Sequence, residues 1–118
     1  EMAFRFKKVE VYKDAKNFSR FWREIVNEQI ADRNLADQIK RALNSIVLNI
    51  AEGSADNSDI EFARFLSISM RSAYEVVAGF DLANFYGLVD NKLNLEIESR
   101  GEMLVKRLSA FRSSLKKQ

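Results

Sequence analysis

Apolar residues recur every three or four positions in four separate stretches of this chain, the spacing that places side chains on one face of an α-helix. In the first stretch Val11, Ala15, Phe18, Trp22 and Ile25 share a face that Tyr12, Phe21 and Val26 widen, while Lys13, Lys16, Arg20 and Arg23 occupy the opposite side. The second repeats Leu35, Ile39, Ala42, Ile46 and Ile50. Beside it, about a quarter turn away, runs a polar line of Gln38, Arg41, Ser45, Asn49 and Glu52. The third places Phe62, Phe65, Ser69, Ala73, Val76, Phe80 and Ala83 toward a core, yet Ile68, Leu82 and Tyr86 lie on its flank and Tyr74, Ala78 and Phe85 point away. The fourth is a seam of Ile97, Gly101, Leu104, Leu108, Phe111 and Leu115 at alternating spacings of four and three.

The punctuation between these stretches fits helix ends. Asp32 to Asn34 offers N-cap chemistry before the second helix, and Gly53 is expected to close it in the left-handed conformation. Ser58 and Glu61 have the S-x-x-E spacing of a capping box and open the third helix. The expected helices are about 9–29, 35–52, 59–87 and 92–116, joined by short turns. Four amphipathic helices so joined predict an all-α fold, an antiparallel up-down-up-down four-helix bundle, as a single domain over residues 1–118.

Two features carry this picture beyond one chain. A helix apolar on more than one side is buried on more than one side. Ile68, Tyr74, Leu82, Phe85 and Tyr86 are therefore candidates for an interface between copies, and a homo-oligomer is expected. The polar line on the second helix also needs partners, and Arg64, Arg71, Ser72 and Glu75 on the third can supply them as an interhelical or intersubunit network.

Composition mainly excludes. The chain has neither Pro nor Cys nor His, which suits long helices and removes disulfides, thiolate sites, cysteine nucleophiles and the commonest general base and metal ligand. No metal or other cofactor and no small-molecule substrate is implied. Glu52, Glu75, Arg41 and Arg64 could in principle form an acid/base pair with an oxyanion clamp, but without a nucleophile-base pair or phosphate loop beside them ion pairing explains them more simply than catalysis. No apolar run approaches bilayer-spanning length and no secretory pattern is present, so a cytoplasmic, non-membrane protein is expected. The net charge is only +2, from 19 Lys and Arg against 17 Asp and Glu. Nucleic-acid contact would therefore rest on the local stripe of Lys13, Lys16, Arg20 and Arg23 and on its repetition in an oligomer. Lys116 and Lys117 read as a frayed helix end.

The run Gln38 to Gly53, Q-I-K-R-A-L-N-S-I-V-L-N-I-A-E-G, together with Ser58, Glu61-Phe62, Arg64-Phe65-Leu66, Ser72 and Glu75, resembles the four-helix bundle proteins known as 23S rRNA intervening-sequence proteins. It is similar, more distantly, to the accessory variability protein of diversity-generating retroelements. Departures are Tyr12 where relatives often carry Trp, Arg71 in place of a small residue, and a loop, Ser54-Ala55-Asp56-Asn57, without the basic residues many relatives place there. The resemblance implies a small bacterial cytoplasmic protein that assembles as a ring-like homo-oligomer, a pentamer, with RNA or an RNA-linked complex as its partner. The alternative is a structural oligomer or protein-interaction scaffold with no nucleic-acid role.

Overall fold

The structure, a computed structural model, describes residues 4–55 and 58–116; the side chain of Lys116, Lys117 and the loop positions Asp56 and Asn57 lie outside the described residues. A short 3-10 turn, Arg5–Lys8, leads into α1 (Glu10–Gln29), followed by α2 (Arg33–Ser54), α3 (Asp59–Phe85) and α4 (Asn91–Lys116). Among the described residues there is no strand. The buried side chains form one continuous cluster drawn from all four helices.

Side-chain contacts fix the helix directions. Ser69 donates to the Ile46 carbonyl and Ser72 to Ser45, while Gly53 lies against Phe62 and Phe65, so α2 and α3 are antiparallel. Asn94 bonds Asp81 and Arg112 bonds Ser67, which orients α4 against α3 the same way. Asp14 pairs with Arg107, and Arg100 lies over Phe21, which makes α4 antiparallel to α1 as well. The α2–α3 interface is the most extensive and the α1–α4 interface the slightest. Only adjacent helices pack backbone to backbone, which leaves α1 and α3 diagonally opposed across the bundle. Trp22 spans that diagonal and meets the Phe80 ring edge-on at 5.2 Å.

Helix ends follow local chemistry, with one correction. The Asp32 carboxylate accepts from the Leu35 amide, the Ser58 hydroxyl from Glu61, and the Asp90 carboxylate from Leu93, capping α2, α3 and α4. Ser58 supplies its half of the capping box, while the Glu61 carboxylate turns instead to Arg64. Gly53 does not end α2 in a left-handed residue: it is buried inside the helix, which continues to Ser54. The left-handed residue is Gly87, at φ +80°, just past α3. There Leu88 N–H bonds the Ala83 carbonyl and Gly87 N–H that of Asn84, the paired bonds of a Schellman motif. Consequently α3 stops at Phe85, two residues short of the expected end, while α2 runs two residues further at each end than its apolar pattern suggested.

The expected cores of α1 and α4 hold with two shifts. Val26 is fully buried on α1, whereas Ile25 is half-buried and Phe21 exposed, because α1 turns its Val26 side to the bundle and Phe21 to the loosely packed α1–α4 seam. On α4 Ile97, Gly101, Leu104 and Leu108 are buried, and Phe111 and Leu115 only partly so toward the helix end.

Candidate functional site

Three surfaces collect the residues singled out from the sequence. The first is the seam between α2 and α3, where small side chains let the helices approach closely. Ser45 receives a hydrogen bond from Ser72 at 2.7 Å, and the Asn49 amide donates back to Ser45 Oγ at 3.0 Å and to its carbonyl at 2.9 Å. Ser69, fully buried, donates to the Ile46 carbonyl at 2.8 Å. Such bonds satisfy hydroxyls that would otherwise be stranded between helices. Gln38, Arg41, Glu52, Arg71 and Glu75 lie along the same seam or beside it but are exposed. They make no side-chain hydrogen bond or ion pair with other described residues of the chain. Arg64 pairs with Glu61 on its own helix at 3.0 Å rather than across the seam, an exposed contact of small energetic weight. Within one chain the hydrogen-bonded part of the polar line is thus Ser45, Asn49 and Ser72.

The second surface is the outward face of α3. Tyr74 is 65% exposed, Phe85 84% and Tyr86 57%, with Leu82 at 40%, and Ile68 is half-buried. Ile60, 80% exposed, extends the row to the start of the helix. Arg64, Arg71 and Glu75 alternate with these residues, so the face carries both a large apolar area and paired opportunities for charge. At its edge an open groove between α3 and α4 is lined by Tyr74, Val77, Ala78, Leu95 and Val105. Leu95 and Met103, both more than half exposed, were not singled out from the sequence, since each lies more than a quarter turn from the α4 seam and outside its repeat.

The third surface is basic. Lys16, Arg20 and Arg23 of α1 line one groove with Asn44, Val47 and Leu48 of α2. Lys13 stands one turn before them and pairs with Glu10 at 3.6 Å. Asn17, Ser19, Glu24 and Asn27 complete the α1 wall, and Lys40 reaches across from α2 to bond the Asn27 side chain at 3.1 Å. Sequence periodicity identified the α1 cations but missed their α2 neighbours. Asn44 and Leu48 sit four apart on one side of α2, the spacing of a shared face, but pattern alone does not say which neighbouring helix that face meets.

Among the described residues no group of three or more His, Cys, Asp or Glu side chains could hold a metal ion. No helix in the described residues is long and apolar enough to cross a membrane.

The signature run Arg41 to Gly53 lies along the α2–α3 seam. Residues 7–110 match the family model described as 23S rRNA-intervening sequence protein. The chain belongs to that family. Among solved structures, it is similar to a protein of unknown function from the S23 ribosomal protein family from Bacteroides thetaiotaomicron, with 19% sequence identity and a TM-score of 0.77. The match covers 86% of this chain and 97% of that one, and at such identity it establishes the shared fold alone. No curated protein matches the chain significantly. For this family member the signature residues have a direct physical reading. Ser45 and Ile46 accept hydrogen bonds from Ser72 and Ser69 of α3, Asn49 bonds Ser45, and Gly53 lies against Phe62 and Phe65, so these residues set how closely α2 and α3 approach.

Proposed function

We propose that this family member is a non-enzymatic, cytoplasmic protein that assembles with copies of itself as a ring-like homo-oligomer, a pentamer, and presents the α1/α2 groove of each copy to RNA or an RNA-linked complex. The observation that carries the reading is the diagonal placement of two unlike surfaces. The exposed apolar row of Tyr74, Leu82, Phe85 and Tyr86 faces away from the bundle on α3, and the cations Lys16, Arg20 and Arg23 face away on α1. Covering the first by a neighbouring copy leaves the second open and repeated. Burial of a side chain such as Leu82 or Phe85 contributes about 1.5–3 kcal/mol, and the cations gain avidity when several copies act together. The exposed Arg41, Glu52, Arg71 and Glu75 would find their partners at the same contact between copies.

Light scattering at micromolar concentration tests the assembly. Wild-type protein is expected to exceed the monomer mass several-fold, and the double variant Tyr74→Lys, Phe85→Lys to run as a helical monomer. A monomeric wild type would overturn the assembly. Binding to structured ribosomal RNA is expected to weaken steeply with salt, as backbone contacts require, and to vanish when Lys13, Lys16, Arg20 and Arg23 are all changed to Glu. An oligomer indifferent to RNA at low salt would leave a protein-interaction scaffold instead.

A further inference from the structure

Resting on the RNA reading above, we infer that the α1/α2 groove takes an A-form RNA duplex rather than a single strand or a DNA duplex. The chemistry of the walls distinguishes these partners. Proteins that hold single strands combine cations with aromatic platforms on which unstacked bases lie. This groove has no aromatic lining residue. The nearest ring beside its cations, Tyr12, is half-buried and already occupied: Phe6 packs edge-on against it at 4.9 Å and Lys16 Nζ lies over its face at 4.9 Å. Of the other exposed rings among the described residues, Tyr74, Phe85 and Tyr86 belong to α3 and its C-terminal end, Phe21 faces the α1–α4 seam under Arg100, and Phe4 precedes the 3-10 turn; none lines this groove.

What the groove offers instead is two kinds of polar group side by side. Lys16, Arg20 and Arg23 follow one another along α1 at spacings of four and three, over about 10 Å of helix axis. They can neutralise successive phosphates without reading bases. The same groove is lined by Asn17, Ser19 and Asn27 of α1 and Asn44 of α2, whose amides and hydroxyl both donate and accept, with Glu24 as its one acid. A 2′-hydroxyl is likewise donor and acceptor, and it lines the wide, shallow minor groove of A-form RNA. Cations accompanied by amides on two neighbouring helices match the chemistry of that surface. Leu48, 61% exposed at the α2 rim, adds an apolar contact suited to sugar faces.

The test compares three probes of equal length against the wild-type protein by fluorescence anisotropy: a 20-base-pair RNA duplex, the DNA duplex of the same sequence, and one RNA strand designed without structure. The RNA duplex is expected to bind at least fivefold more tightly than either. Each variant Arg20→Gln or Arg23→Gln is expected to weaken binding to every probe and to flatten the logarithmic salt dependence by about 1. The variant Asn44→Ala, at an exposed position, is expected to keep the wild-type salt dependence and melting temperature while narrowing the preference for RNA over DNA duplex. Equal or tighter binding of the single strand, or equal binding of the DNA duplex, would overturn the inference while leaving RNA association standing. Failure of all three probes to bind at low salt would overturn the RNA reading itself.

Discussion

Trp22→Ala is expected to lower the free energy of unfolding by about 3–5 kcal/mol, the range seen when a large aromatic is removed from a packed core. Trp22 is fully buried: its ring lies 5.0 Å from Phe21 and 6.3 Å from Phe18 on its own helix and 5.2 Å from Phe80 on α3. It is the main link between the diagonal helices α1 and α3, so the space left by its loss cannot be closed by one neighbour. For a domain of this size the melting temperature should fall by roughly 4 °C per kcal/mol, hence by more than 10 °C. The Trp22→Phe variant separates packing from polarity. Nε1 of Trp22 is buried without a hydrogen-bond partner, and an unsatisfied buried donor costs about 1–3 kcal/mol. Phenylalanine removes that donor while keeping most of the ring, so it should melt much closer to wild type than alanine does. Thermal denaturation followed by circular dichroism checks both. A Trp22→Ala melt within a few degrees of wild type would show that the diagonal contact does not hold the bundle together.

The second large effect is expected at Gly53, where two rules of thumb predict opposite signs. Helix propensity alone favours Ala over Gly by about 1 kcal/mol at an interior position. Contact geometry opposes it. A Cβ at Gly53 would lie 2.7 Å from Phe65 Cβ and 2.8 Å from Phe62 Cδ1. The Phe65 Cβ is fixed to the α3 backbone and cannot rotate aside, so relief requires the two helices to separate. Separation stretches the Ser69 bond to the Ile46 carbonyl and the Ser72–Ser45 bond, both formed only at close approach. Overpacking of this kind costs about 1–3 kcal/mol, so Gly53→Ala should melt below wild type despite its better propensity, and Gly53→Val lower still. Chemical denaturation of the three proteins checks the order. A Gly53→Ala protein more stable than wild type would mean that α2 and α3 have slack at this point. Gly79 poses the same test at the other end of the seam, where a Cβ would meet Ile39 Cγ1 at 2.5 Å.

The amphipathic periods of α1 and α2, and the caps at Asp32 and Ser58, were legible because each is a local signal: apolar spacing and a side chain reaching its own backbone. The excess of apolar residues on α3 was legible for the same reason. Gly53 was misread because a glycine after I-A-E looks like a helix end in one dimension. Its actual requirement comes from Phe65, twelve residues away on another helix, and no local pattern reports that. The terminating role passed to Gly87, whose Schellman bonds depend on Ala83 and Asn84. The polar line was legible as a line but not as a set of partners. Ser45 and Asn49 lie on the inner edge and bond within the chain, whereas Arg41 and Glu52, a quarter turn or less away, face outward. Equally, the α1 cations could be placed on a face, but Asn44 and Leu48, which share their groove, come from a neighbour whose identity depends on how the helices are arranged in space.

The uneven grip of the four helices should also set the order in which the molecule comes apart. The α2–α3 hairpin is closed by serine hydrogen bonds and glycine contacts along its length, while α1 meets α4 only lightly through Asp14–Arg107 and the Phe21–Arg100 stack. Amide hydrogens of α1 should exchange with solvent through sub-global opening, well before those of the hairpin, which would persist as the last cooperative unit. A bundle that sheds one helix while keeping its tightest pair intact can loosen the helix that carries its cations without dissolving the face that carries its aromatics.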